Sequence, residues 1–328
     1  IPRILNGIAG GALLAGLYAI SDFGTPAIMG VNTYTRAIYV EYNALGLGQA
    51  AGLSLQLILI VSLLLALESQ AKIVRSAPGR LIKIKPTGKQ KFFLFLFISP
   101  VILLSILLPI FIFTLWLARE GFSTFDFSIV FNSIFVSVIA AIFAILLALP
   151  IAIAALEGKI GKFMERITYI GFGIPGIVMG TALVYVGLQL PLVYQTFVLL
   201  IFAYVLRFLP LGVSSVRNSL EGFDDSLTNA ARSLGANSSE AFKRITLPLL
   251  FKSIIAGAAL VFLETMRELP ATLLLGPTGF ETLATYLWRV YEAGYFGRAA
   301  IPGLLIILAS IITLLVMMSA EGLSEDSD

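Results

Sequence analysis

The chain has 328 residues, 58% of them hydrophobic and only 12% charged, with 22 Lys and Arg against 19 Asp and Glu and a formal net charge of +3. That composition lies outside the range of soluble domains and describes an integral membrane protein. Cysteine and histidine are both absent, which excludes disulfides, thiolate chemistry and imidazole metal sites, so no metal or cofactor is expected.

Apolar stretches close to the roughly 20 residues that cross a bilayer as a helix fall at 4–20, 45–67, 92–118, 128–155, 167–188, 194–213, 248–266 and 297–320. The expected fold class is all-α, a polytopic transmembrane bundle of about eight spans. Ile1 already belongs to the start of a helix, so the chain reads as beginning inside a longer sequence. Between the second and third spans, residues 68–91 carry Lys72, Arg75, Arg80, Lys83, Lys85, Lys89 and Lys91 with Glu68 the only acid. Cations concentrate on the cytoplasmic side of a membrane, so this segment reads as a basic cytoplasmic tether, with membrane lipid headgroups as a further contact. Nucleic-acid binding is not expected of cations enclosed between two spans. The other loops alternate in agreement: 156–166, with Lys159, Lys162 and Arg166, is inside, the uncharged 189–193 is outside, and 214–248 and the acidic tail 321–328 are inside.

The first 67 residues can be laid on residues 247–317. Ile1-Pro2 pairs with Leu247-Pro248, Gly11 with Gly257, Asp22 with Glu268 and Gly30 with Gly276, and after a three-residue gap GQAA (48–51) meets GRAA (297–300). The expected organisation is two related halves in the same membrane orientation, about an axis along the membrane normal. Residues 1–67 are the last two spans of the first half, 68–91 the tether, and 92–320 a complete six-span second half. On that pattern about four helices and one loop of the first half are missing.

Several residues stand out against the apolar background. Glu264, Arg267 and Glu268 are spaced i, i+3 and i+4 near the outer end of the seventh span, and Asp22 matches Glu268 in the repeat while Tyr18 matches Glu264. Ionisable groups at membrane depth are costly and face a cavity or a partner helix. Glu264, Arg267 and Glu268 therefore read either as part of an outer gate or cation path, or as an ion-pair cluster that stiffens a helix end, and the matched Asp22 favours a shared role in the path. Arg207, in YVLRFLPLG, reads as snorkelling to headgroups from the inner end of the sixth span, or as pairing with an acid of the following loop. Pro150, Pro175 and Pro210 mark hinges or simple kinks, and Gly176 with Gly180 forms a small-xxx-small pair that permits close backbone approach.

The loop 214–248 is polar and helix-forming. Asp224 and Asp225 are N-cap candidates for a short helix to about Leu234, and Gly235 sits where a left-handed C-terminal cap belongs. Asn237 and Glu240 have capping-box spacing and open a second short helix through Ile245 toward Pro248. Leu227, Ala230, Ala231 and Leu234 form an apolar ridge that fits a groove on a partner, or else lies on the chain's own surface.

Asn229, Ala230, Ala231, Gly235, Ile245, Leu247 and Pro248 stand at the spacing of a known signature: an acidic residue and two alanines, three residues, a glycine, nine residues, an isoleucine, one residue, then Leu-Pro. The loop resembles that of the permeases of ABC importers, departing only at Asn229, where the family has glutamate. The resemblance implies a type I importer permease fold and a cell-membrane location. It also implies a dimer of ABC ATPase subunits docked on these loop residues, and an extracytoplasmic binding protein that delivers the substrate. FNSIFVSVIAAIFAILLALPIAIAAL (131–156) and GIPGIVMGTALVYVGL (173–188) are similar to core-helix motifs of the wider family. SDFGTPAIMGVNTYTRAIY and RELPATLLLGPTGFETLATYLW look like the fused permeases of ferric-iron importers, with thiamine, polyamine and phosphonate importers sharing much of the pattern. The oxygen ligands left in a chain without His or Cys suit a hard cation, and equally suit a passage with no binding site.

No G-x-x-x-x-G-K-[ST] string occurs, the nearest being EGKIGKF, and no nucleophile–base pairing or H-E-x-x-H helix appears. ATP hydrolysis is thus expected of a separate subunit, and the chain is not expected to be an enzyme. An ATP-independent secondary transporter is the alternative class, for which carboxylates deep in the spans would be the mark.

Overall fold

The computed structural model of the chain describes residues 2–70, 87–121, 125–223 and 225–325. The tether cations Lys72, Arg75, Arg80, Lys83 and Lys85, the cap candidate Asp224 and the tail residues 326–328 lie outside them.

Every regular element among the described residues is helical. The chain opens with α1 (Pro2–Ser21), α2 (Gly24–Ile28), α3 (Tyr34–Asn43) and α4 (Leu47–Gln70). After the tether come α5 (Gly88–Ile102) and α6 (Leu108–Glu120), joined by a π turn, then α7 (Ser128–Glu157), α8 (Lys159–Gly173), α9 (Gly176–Gln189) and α10 (Phe197–Glu221). The loop helices α11 (Asp225–Ser233) and α12 (Ser238–Ala241) lead into α13 (Leu247–Met266), and α14 (Pro270–Leu275), α15 (Leu283–Glu292) and α16 (Ala300–Glu325) complete the chain. Among the described residues, six stretches are long and apolar enough to cross a membrane: 47–66, 88–120, 128–157, 197–221, 238–266 and 296–319. The first expected span falls on α1.

The expected span 167–188 is not one straight helix. α8 and α9 meet at a bend of 102° around Ile174-Pro175, and they make a seventh span only if taken together. Pro175 has no N–H to continue the helix and sits at its N-cap, so the break is written into the backbone chemistry. Pro150 and Pro210, by contrast, lie inside unbroken helices.

The core is the α7, α10 and α13 triplet. Ala140, Ala144, Ala148 and Ala152 of α7 repeat every fourth residue and are fully buried. Small side chains at that spacing let helices approach closely where lipid offers no hydrophobic drive. Gly212 on α10 meets this ridge, with a Cβ there 3.1 Å from Ala148 Cβ, and Gly257 on α13 meets α7 beside it, with a Cβ there 3.2 Å from Ile145 Cδ1. The Ser215 hydroxyl donates to the Ser253 carbonyl across the α10–α13 contact (2.8 Å). At the periphery, α5 exposes Phe92, Phe93, Phe95 and Phe97 and α6 exposes Phe111, an apolar surface suited to hydrocarbon.

α1 to α4 and α13 to α16 run in the same order. α3 and α15 each have ten residues and each begin at a threonine, Thr33 and Thr282, whose hydroxyl accepts the N–H three residues on (3.4 Å). The backbone corrects one expected pairing. Gly30 (φ 71°) corresponds in conformation to Gly279 (φ 79°), while Gly276 has φ −58°. The three-residue gap therefore lies ahead of this glycine, taken up by a segment that is longer after α14 than after α2.

Candidate coupling loop and transmembrane cavity

The loop helices are built from local capping chemistry. At the end of α11 the Ala236 N–H bonds to the Ala231 carbonyl (3.1 Å) and the Gly235 N–H to the Arg232 carbonyl (3.0 Å). These two bonds define a Schellman cap, which needs a left-handed residue, and Gly235 has φ 95°. Asn237 accepts from the Glu240 N–H (2.9 Å) and its own N–H reaches Glu240 Oε2 (3.2 Å), the reciprocal capping box. Asn229 lies within α11, its side chain outside the described ones. Leu234 is 90% exposed, and Leu227 and Ala230 are also open, so the ridge lies uncovered rather than packed on the chain's own surface.

The second loop helix differs from expectation. It does not end near Pro248 but runs without interruption from Ser238 to Met266, through a π turn at Phe242–Thr246. Pro248 cannot donate to the carbonyl four residues back and its ring crowds that group, and the wider turn just before it takes up the mismatch. Ile245, Leu247 and Pro248 thus belong to the base of a span, and α11 packs back on it.

A cavity of about 650 Å³ opens among α1, α2, α10 and the segment joining α13 to α14. Tyr18, Asp22, Arg207, Glu264, Arg267 and Glu268 supply its polar lining, so all four residues expected at a gate or path are brought together. Their arrangement was only partly foreseen. α13 stops at Met266 because Pro270 has no N–H for the Met266 carbonyl, so Glu264 and Glu268 do not share one continuous helical face. Arg267 turns to Glu264 (Nε–Oε2 3.3 Å), whereas Glu268 faces Arg207 (Nε–Oε2 3.6 Å).

That second pair overturns the snorkelling expectation for Arg207. Arg207 lies ten residues past the first residue of α10, about 15 Å along the axis and close to mid-span. Arg207 and Glu268 are 16% and 6% exposed. Arg207 Nη1 is buried and has no hydrogen-bond partner among the described residues. Gly176, the first residue of α9, is wedged against the pair: a Cβ there would overlap the guanidinium and come 2.6 Å from Glu268 Oε1. The signal in the sequence was the arginine itself, because a cation in the middle of an apolar span implies an acid facing it.

Glu268 also holds the backbone. Its Oε1 accepts the Ala271 N–H at the start of α14 (3.2 Å), and its carbonyl accepts the Thr272 hydroxyl (2.8 Å). Asp22 does the same for α2, accepting the Gly24 N–H (3.1 Å) while its carbonyl accepts the Thr35 hydroxyl (2.7 Å). The acids are thus engaged by arginines or by backbone donors, and among the described residues no three metal-ligating side chains converge. With three acids against two arginines the cavity carries one net negative charge (2 − 3 = −1). At the end of the bundle away from the loop helices, Glu281 bonds Arg289 (Nη2–Oε2 2.9 Å) and pushes its guanidinium pKa up.

Residues 144–324 match the family described as the binding-protein-dependent transport system inner membrane component. The chain belongs to that family. Among its relatives, this inner membrane component is 29% identical to the Fe(3+)-transport system permease protein FbpB 2 of Haemophilus influenzae, over 96% of the chain and 66% of that protein. It is 28% identical to the putative 2-aminoethylphosphonate transport system permease protein PhnV of Salmonella paratyphi A, over 53% of the chain and 65% of the relative. The chain therefore spans a little under two thirds of the length of these two relatives. It is 30% identical to the molybdenum transport system permease protein ModB of H. influenzae, over 64% of the chain and 83% of that protein. A crystal structure of a bacterial ABC transporter involved in the import of alginate superposes with a TM-score of 0.53 at 16% identity, over 73% of this chain and 96% of that one. That likeness establishes the all-helical ABC importer membrane-domain fold.

Proposed function

We propose that the chain is the permease subunit of an ATP-driven importer, in which the 225–248 loop receives ATPase subunits and the cavity around Arg207 and Glu268 is part of the passage. The observation that carries this reading is the uncovered ridge of Leu227, Ala230 and Leu234, held by two caps at the base of a transmembrane helix. An apolar ridge in that position is a ready docking surface, and the continuous helix 238–266 leads from it toward the cavity. A partner ATPase supplies ATP hydrolysis, and an extracytoplasmic binding protein delivers the substrate. The expected halves, 1–67 and 92–320, fit this role, since Tyr39 and Trp288, which occupy matched positions, meet edge to face (6.1 Å, 89°) where a pseudo-axis would pass.

Ferric iron is the cargo we favour. Support comes from the ferric-iron relative matched over 96% of the chain and from a cavity with a net negative charge and only oxygen donors among its acids. The test has two steps. Affinity purification of the tagged protein from its native membrane should bring down an ABC ATPase and an extracytoplasmic protein. That binding protein, loaded in turn with ferric iron, 2-aminoethylphosphonate or spermidine, should drive ATP-dependent uptake into liposomes for iron alone. Uptake that proceeds without ATP would replace this reading with a secondary transporter, and uptake of another ligand would replace the cargo.

A further inference from the structure

We propose that Glu165 and Arg217 form a positioning strut that makes α8 move with the loop-side end of α10, and so carries displacement of the α11–α12 loop to the bend at Pro175. The inference rests on the import reading and deepens it. Glu165 on α8 is 4% exposed and bonds Arg217 Nη1 on α10. Arg217 is fixed from its other side by Glu221, with Nη2–Oε1 2.8 Å and Nε–Oε1 3.1 Å. Glu221 is the last residue of α10, and α11 begins at Asp225. The guanidinium thus joins a buried acid on α8 to the very end of the helix that feeds the loop.

α8 has a second attachment to α10. At Gly171 a Cβ would lie 3.4 Å from the Leu206 carbonyl carbon and overlap its oxygen, so the two backbones touch beside Arg207. The contacts are six residues apart on α8 and eleven apart on α10, about 9 and 16 Å along the respective axes. A helix held at two separated points follows its partner as one body. Beyond Gly171 the chain turns through 102° and delivers Gly176 against Arg207 and Glu268. Motion of the loop-side end of α10 therefore reaches the cavity by two routes, directly along α10 and through Glu165, α8 and Gly176.

A charged pair is not what packing alone would select here. Apolar side chains of similar volume stabilise a buried contact as well or better, whereas an ion pair fixes direction and register. The experiment compares coupling, not folding. In the assembled transporter with its ATPase subunits in liposomes, Glu165→Gln should keep ATPase copurification and hydrolysis but lower substrate moved per ATP by about tenfold. The exchange variant Glu165→Arg with Arg217→Glu should recover most of that loss. In the naturally cysteine-free chain, Glu165→Cys with Arg217→Cys should be uncoupled when the thiols are free and recoupled by a short bifunctional thiol reagent. Wild-type uptake per ATP in Glu165→Gln would overturn the strut, as would cross-linking that abolishes uptake. Absence of ATP-driven uptake in the wild type would instead overturn the import reading.

Discussion

Replacing Glu268 by Gln isolates the charge of the mid-span pair from its capping role. Gln keeps an oxygen for the Ala271 N–H but leaves Arg207, 84% buried, without its counter-charge. At the observed 3.6 Å and an effective dielectric of about 20, the Coulomb attraction is about 4–5 kcal/mol. The net cost of removing one member of such a pair is about 3–5 kcal/mol, because the surviving charge stays buried. Glu268→Ala should cost about 1 kcal/mol more, since the α14 cap is lost as well. Adding Arg207→Met to Glu268→Gln removes the orphaned charge and should return most of the stability while leaving uptake impaired. Thermal unfolding of the detergent-solubilised protein, read beside ATP-dependent uptake, gives both quantities. A Glu268→Gln protein that melts like the wild type, or a double variant no more stable than the single one, would show that Arg207 does not depend on Glu268.

Gly235→Val should weaken ATPase copurification or uncouple hydrolysis from uptake. Nothing lies within 4 Å of a Cβ at that position, so the cost is purely that of φ 95°, about 1–2 kcal/mol; Gly235→Asn should be milder, Ser239→Ala and Asn229→Glu should be tolerated, and wild-type coupling in the valine variant would sink this account of the loop. Cysteines introduced at Ser76, Gln189 and Ser327 should be labelled by impermeant maleimide from the inside, outside and inside respectively, and outside labelling at Ser76 would invert the topology. Asp22→Asn, which keeps the Gly24 cap and breaks no arginine pair among the described residues, should be less destabilising than Glu268→Gln in the same melting assay; equal losses would refute the division of roles between the two halves.

The loop was legible because its determinants are local. Gly235, Asn237 and Glu240 each act within five residues of their partners, so spacing alone specifies the Schellman cap and the capping box. The cavity was legible as a set of residues and not as a geometry. Glu264, Arg267 and Glu268 look like one helical face until Pro270 withdraws the hydrogen bond that would have continued α13, and the acid then swings to an arginine 61 positions earlier. Apolar composition also hid the bend between α8 and α9, since residues 167–173 and 176–188 are both largely apolar and hydropathy carries no direction. Gly176 had a visible small-xxx-small partner in Gly180, and that relation holds at the α9–α14 contact, where a Cβ on Gly180 would be 2.9 Å from Leu274 Cδ1. Its closer duty, making room for a guanidinium, depends on a side chain arriving from another helix. The Glu165–Arg217 pair was hidden for the same reason.

The matched acids of the two segments show how a shared backbone device acquires a separate partner. Asp22 and Glu268 each accept an N–H from the short helix that follows, and each offers its carbonyl to a threonine hydroxyl. Those bonds explain why an acid stands at both places without appeal to transport. What differs is the surroundings: Glu268 meets Arg207 of α10 and Gly176 of α9, whereas Tyr18 stands where the second segment has Glu264. Tyr39 and Trp288 touch where the segments meet, and Asp22 and Glu268 line one cavity. Among the described residues the Asp22 carboxylate is held by a backbone donor alone, whereas Glu268 is also paired with an arginine, so only the second acid ties its short helix to α10.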